Sequence, residues 1–308
     1  MNMCIKLPIL AYLIPDFTEV YMLTIQTLIN MANEKNCGIS QIVCELQCEE
    51  QQTIPEDTRE VMRKSLLVMK DSVHNGLKGG ISNGGLCGKQ AFDYINNPKS
   101  GMLMGNLCQK AIAYAIAGAE HNACMGRIVA APTAGSCGIL PAVLFAAQDV
   151  LGFSDEQLVD ALFNSAGICL VVAENASISG AKGGCQAECG TASAAAASAL
   201  TELLGGTPEM CAHACAIAFK FILGLTCDPV AGLVEVPCVK RNASGAVNAL
   251  VAAEMAICGI ESAIPADEVI LAMKQTGELM SYSLKETSLA GLAKTPTGKK
   301  ISENLGLN

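Results

Sequence analysis

Apolar residues along this chain recur at three- and four-residue spacings rather than in strict alternation, a pattern that predicts helices. The stretch from Tyr21 to Cys48 reads as two short helices around Asn36-Cys37-Gly38, with Ser40 placed to cap the second. Ile54-Pro55-Glu56-Asp57 opens an amphipathic helix over residues 58–77, with apolar residues at Val61, Met62, Leu66, Leu67 and Met69. Further helices are expected over 103–122, 155–172 (capped by Ser154), 246–259 and 265–279. Residues 188–204 are rich in Ala and Ser and end at Gly205-Gly206. Small side chains let helix backbones approach closely, so this segment is expected to be a central buried helix. The fold class expected is all-α. One helical domain spans 21–308, and residues 1–20 form an extension. The tail from Leu284 onward, with Gly291, Pro296 and Gly298, is expected to be a surface strap.

Between the helices lie glycine- and proline-punctuated loops that carry the candidate chemistry. His74-Asn75-Gly76-Leu77-Lys78-Gly79-Gly80-Ile81-Ser82-Asn83-Gly84-Gly85 is too rich in glycine for a helix interior. It reads either as a flexible connection or as a loop lining a site, with His74 as a candidate catalytic group. In Ala131-Pro132-Thr133-Ala134-Gly135-Ser136-Cys137-Gly138-Ile139-Leu140-Pro141, small residues precede a helix start, where exposed amides can hold a carboxylate. Thr133, Gly135 and Ser136 are therefore candidate substrate-binding residues, and an ordinary helix connection is the alternative. Glu174, Asn175 and Lys182 place a carboxylate, an amide and an amine within nine residues. Glu174 and Lys182 either pair as a salt bridge, or one of them is a base that takes a proton alpha to a carboxylate. Asn175 is a candidate for holding substrate.

Three cysteines stand at the edges of such loops. Cys185 follows Gly183-Gly184 and opens the Ala-rich helix, where the amides and positive end of the helix favour a thiolate. Cys227 and Cys238 bracket a loop containing Pro229, Gly232 and Pro237, which can aim two sulfurs at one point. By spacing alone the trio reads equally well as metal ligands or as small buried hydrophobes. Arg241, just beyond Cys238, is a further candidate for a substrate carboxylate. Cys211, His213 and Cys215 suggest zinc at first sight, but on a helix the histidine points away from the cysteine face.

Composition narrows the classes. A formal net charge of −9 with no basic run argues against nucleic acid as a partner. Sixteen cysteines in 308 residues fit a reducing cytoplasm better than a disulfide scaffold, because such scaffolds are short. Mean hydropathy is +0.38, yet Pro132, Gly135, Gly138 and Pro141 interrupt the longest uncharged run, and no membrane span is expected. Met1 to Asp16 has no small-residue cleavage motif.

The segments Ala131 to Pro141, Glu174 to Glu188 and Cys227 to Cys238 together resemble the iron–sulfur-dependent bacterial L-serine dehydratases, in their catalytic or alpha portion. The resemblance covers about Ile39 to Ser302. It implies an all-helical catalytic domain and a [4Fe-4S] cluster held by Cys185, Cys227 and Cys238, with no pyridoxal phosphate. It also implies deamination of L-serine to pyruvate and ammonia. An iron without a protein ligand would act as a Lewis acid toward the substrate hydroxyl. Single-chain members carry a smaller α/β domain before the catalytic part. Nothing here corresponds to it, so a separate beta subunit is implied, with a higher oligomer as a further expectation. Rival readings are a related L-cysteine desulfidase and a cluster-bearing module without lyase chemistry.

Overall fold

A computed structural model describes residues 23–307, and the expected extension at 1–20 lies outside the described residues. Among the described residues the chain forms thirteen α-helices and no named strand. The first three are α1 (Ile25–Lys35), α2 (Ile39–Gln51) and α3 (Pro55–Leu77). Next come α4 (Gln90–Ile95), α5 (Gly105–Ala123), α6 (Ile139–Leu151), α7 (Asp155–Asn175) and the single turn α8 (Gly180–Gly183). The second half holds α9 (Cys185–Leu203), α10 (Pro208–Lys220), α11 (Cys238–Ile257), α12 (Ala266–Leu279) and α13 (Pro296–Asn304). The all-α expectation holds.

Local chemistry explains most boundaries. Ser154 accepts from the Gln157 amide, and the Gln157 side chain returns to the Ser154 backbone, a capping box that starts α7. Pro55 and Pro208 occupy first-turn positions, where their missing N–H costs nothing. Two boundaries differ from expectation. Ser40 does not cap α2; Gly38 takes that place, and the Ser40 amide is satisfied by the Glu202 carboxylate from α9 (3.2 Å). α11 begins at Cys238, eight residues before the predicted start, because Lys240-Arg241-Asn242 continues helically although it is polar.

The Ala-rich α9 is the central helix, packed against α6, α7, α10 and α11. Ala194, Ala196, Ala197 and Ala199 have no solvent exposure. Close approach of α11 is permitted by Gly245, where an added Cβ would lie 2.9 Å from Ser193 Oγ. Each buried hydroxyl on α9 has a partner, as burial demands. Ser193 donates to Gly245 O (3.0 Å), Ser198 to Asn164 Oδ1 (2.7 Å), and Thr191 and Thr201 to carbonyls one turn back. Around this helix the bulk of the core is Phe163, Phe219, Leu144, Leu158, Ile139 and Ile168.

α7 corrects one expectation. It is long and apolar enough to cross a membrane, which the interrupted runs had not suggested. Here it lies against α2 and α9 with Asn164 and Ser165 buried. Of the residues weighed for zinc, Cys211 and Cys215 are buried, and His213 Nδ1 accepts from the Ser262 amide (3.2 Å).

The alanine packing has a measurable consequence. Ala196→Leu is expected to cost about 1–3 kcal/mol through overpacking, read from the urea midpoint. A second expectation concerns pH. Burial pushes the Cys87 and Cys137 thiols up to about 12 from an ordinary 9.0, so the unfolded chain ionises them first. Their contribution is full below pH 9.0 and is lost as pH climbs toward 12. The urea midpoint of metal-free protein should therefore be lower at about pH 10.5 than at about pH 8.

Candidate active site

Four segments distant in sequence converge at the N-terminal ends of α9 and α11. They are the loop from Thr133 to Gly138, the turn ending at Gly184, the loop from Thr226 to Pro237, and the segment from Tyr282 to Lys294. Gly184 makes the entry to α9 possible: its φ is 78°, and an added Cβ would lie 2.8 Å from Leu225 O. The same sharp turn lets the Gln186 amide bond Leu225 O (3.0 Å), tying α9 to the chain just before Cys227.

Cys227 is fixed by its backbone. Its N–H donates to Leu284 O (2.8 Å), and its carbonyl accepts from Glu286 N (2.7 Å), forming an isolated parallel bridge with Lys285. The next residue extends this tie. Buried Asp228 accepts from Arg241 Nη2 (2.9 Å) through one oxygen and from the Leu292 amide (2.8 Å) through the other. Ser288 Oγ adds a bond to Pro229 O (2.7 Å). The expected surface strap thus belongs to the site, because its middle is stitched to the loop carrying Cys227.

Asn242, fully buried on α11, joins the other loop. Its Nδ2 donates to Gly135 O (2.8 Å) and Cys238 O (2.9 Å), while its Oδ1 accepts from Gly138 N (2.9 Å). One side chain therefore sets the spacing between the Thr133–Gly138 turn and Cys238.

Two carboxylates face the space between these loops. Thr133 Oγ1 donates to Glu188 Oε1, and Ser136 Oγ lies 3.0 Å from Thr133 Oγ1. A Cβ on Gly135 would lie 2.5 Å from Glu188 Oε1. A Cβ on Gly180 would lie 3.1 Å from Cys227 Sγ, 3.4 Å from Glu188 Oε2 and 3.5 Å from Glu286 Oε2. Glycine at these two positions leaves room for Glu188, Glu286 and Cys227 to meet. Burial raises the Glu188 carboxyl above its ordinary range and neighbouring Glu286 adds to the rise, against the Thr133 hydroxyl and Arg241. A carboxyl so placed is suited to holding or accepting a proton.

The three cysteines share this electrostatic neighbourhood. Burial pushes Cys238 up to about 12 and Cys227 higher still, and the negative charge of Cys185 and Glu188 raises both. Cys185 goes the other way. The Cys189 thiol, 3.3 Å away, lowers it first, and the Arg241 guanidinium reinforces this against burial. The helix-start amides expected to stabilise a Cys185 thiolate are partly engaged elsewhere: Gln186 N bonds Leu225 O, and Ala187 N bonds Gly184 O (3.1 Å).

Among the described residues no group of three His, Cys, Asp or Glu is gathered tightly enough for a single metal ion. A four-iron cube asks for something different: separate thiolates, each on its own corner iron. Buried Cys185 and Cys227 and half-buried Cys238, which feel one another's charge and include one thiol of lowered pKa, fit that demand.

The other candidates are placed as follows. Glu174 and Lys182 do not form the pair that was one reading of them. Lys182 is exposed, while Glu174 sits beside Leu23 and Glu50, and burial raises its carboxyl. Asn175 Nδ2 donates to Leu23 O and Val171 O (2.8 Å each), anchoring the approach to α1. His74 is exposed in the last turn of α3. In the Thr133–Gly138 loop, the amides of Cys137 and Gly138 are bonded within the protein, and the carboxylate met by Thr133 is that of Glu188. Arg241 is held by Thr226 O (2.8 Å) and Asp228. Sequence reasoning gave no role to Glu188, Asp228, Asn242 or Glu286. Glu188, three residues after Cys185 on the first turn of the helix, was the one with a legible signal.

With this geometry in view, comparison with known proteins gives the class. The serine dehydratase alpha chain family model matches residues 34–293, and the chain belongs to that family. It is 49% identical over 284 residues to a probable L-serine dehydratase alpha chain of Bacillus subtilis (strain 168), covering 91% of this chain and 94% of that one. It is 42% identical over 286 residues to the L-serine dehydratase alpha chain of Peptoniphilus asaccharolyticus, covering 90% and 96%. The L-serine dehydratase of Streptomyces coelicolor is 41% identical over 271 residues, which span 86% of this chain but 59% of that protein.

The stitching through Asp228 generates a prediction. Asp228→Ala leaves a half-buried guanidinium without its partner and frees the Leu292 amide, and is expected to cost about 3–5 kcal/mol in urea denaturation. Limited proteolysis should then cut first between residues 282 and 294.

Proposed function

We propose that this chain is the catalytic alpha chain of an iron–sulfur L-serine dehydratase, deaminating L-serine to pyruvate and ammonia in the cytoplasm with a separate beta chain. The observation that carries the reading is that Cys227 meets Glu188 and Glu286 around Gly180, while Cys185 and Cys238 open the two helices, α9 and α11, that bound the same place. Family membership and the two alpha chains named L-serine dehydratase support the substrate. The extra length of the Streptomyces coelicolor protein supports the need for a second chain.

Cys185, Cys227 and Cys238 would hold a [4Fe-4S] cluster. When bound, the cluster would supply a Lewis acid for the departing hydroxyl. The chain's own groups do the rest. The joint negative charge of Glu188 and Glu286 receives the substrate ammonium. Glu188, its carboxyl steered by Thr133, takes the alpha proton, a role that fits its raised proton affinity. Arg241 is fixed by Asp228 and presents positive charge toward Cys185, offsetting the charge that ionised thiols accumulate. Loss of water leaves an aminoacrylate, which hydrolyses to pyruvate and ammonia. Glu188 replaces Glu174, Lys182 and His74 as the preferred base, since Glu174 and Asn175 look toward Leu23 while Lys182 and His74 face solvent.

Anaerobic reconstitution followed by a serine-dependent pyruvate assay, with and without the beta chain, tests this reading. Wild type and Cys258→Ala should hold iron, and Cys227→Ala should not. Glu188→Gln should keep its iron and lose about 10²–10⁴-fold in kcat. Wild-type protein that takes up no iron, or forms no pyruvate with its partner present, would refute it.

A further inference from the structure

Cys189 touches a proposed ligand sulfur. It stands one helical turn after Cys185 on α9, the spacing at which side chains share a face. Both residues are 2% exposed, and their sulfurs are 3.3 Å apart, too long for a disulfide and within reach of an S–H···S hydrogen bond. The amides that would normally serve a sulfur at a helix start are partly committed, Gln186 N to Leu225 O and Ala187 N to Gly184 O. With Cys185 ionised as a ligand it can only accept, so the Cys189 thiol, 3.3 Å away, is the group placed to donate to it. Behind it lies a cavity of about 270 Å³, lined by Cys189, Phe221, Ile222, Leu225, Arg241 and Asn248 among others. Cys189 therefore forms part of the wall between this cavity and the Cys185 sulfur.

We propose that Cys189 is a positioning residue for the cluster, donating its S–H to the Cys185 sulfur and thereby raising the reduction potential of the bound cluster. A donor to a ligand sulfur stabilises the more negative, reduced state, and hydrogen bonds of this kind are among the determinants of cluster potential. The inference rests on the reading of Cys185 as a ligand.

The competing account is that Cys189 is only a small buried hydrophobe. Serine and alanine separate the two, because serine keeps a donor and alanine does not. The experiment compares wild type, Cys189→Ala and Cys189→Ser after anaerobic reconstitution, reading iron content, the charge-transfer absorption and the midpoint potential from an EPR-monitored titration. Cys189→Ala should bind the wild-type amount of iron at a more negative potential, with Cys189→Ser close to wild type. An unchanged potential in Cys189→Ala, or equal displacement in both variants, would overturn the proposal. Should Cys189→Ala hold no iron, Cys189→Ser decides: a cluster at the wild-type potential supports the donor, and a cluster lost from both variants refutes it. Wild-type protein without iron would instead bring down the cluster reading itself, so the two failures are distinguishable.

Discussion

Two backbone hydrogen bonds, from Cys227 N to Leu284 O and from Glu286 N to Cys227 O, hold the centre of this molecule's chemistry in place. A loop broken by Pro229, Gly232 and Pro237 has no ladder of its own and cannot fix the direction of a side chain unaided. The bridge with Lys285 supplies the missing partner. It also delivers Glu286 to the pocket, so one pairing both orients a sulfur and adds a carboxylate. Asp228 repeats the device one residue later by engaging the Leu292 amide and Arg241 together. Sulfur direction, strap position and guanidinium position are thereby set by a single short stretch of chain.

The helical core provides the rigid platform for these loops. α9 can be central because its side chains are small, and its neighbours approach closely enough that Gly245 is needed opposite Ser193. Buried hydroxyls in such a helix would be costly if unpaired, and each finds a carbonyl or amide oxygen. α9 begins at Cys185 and α11 at Cys238, so packing between these two helices also governs how two of the three sulfurs approach each other.

Much of the fold was legible in the sequence, since helices with strong apolar periodicity and clear caps fell within a few residues of expectation. The misses have physical causes. The start of α11 was hidden because Lys240-Arg241-Asn242 is polar, and Arg241 and Asn242 are satisfied by Asp228 and by the Gly135–Gly138 loop, partners distant in sequence. Ser40 looked like a cap, but a carboxylate from α9 reaches its amide from across the fold, which no local rule anticipates. The three cysteines stood out as candidates because glycine and proline flank them, and their reading as ligands came from the family resemblance. Asn242, Asp228 and Glu286 did not stand out, because their roles exist only once segments more than a hundred residues apart in places have met. Glu174 and Lys182 misled by proximity in sequence: they stand on either side of the break between α7 and α8, and the turn sends them apart.

The stitched strap also orders events during synthesis. Thr133, Cys185, Cys227 and Cys238 are all translated before Leu284, Glu286 and Leu292, yet the backbone of Cys227 and one oxygen of Asp228 find their partners only in that later segment. A nascent chain can therefore condense its helices early while its pocket stays unfinished. Whatever fills that pocket can be locked in only once residues 284–292 have joined the loop that carries Cys227.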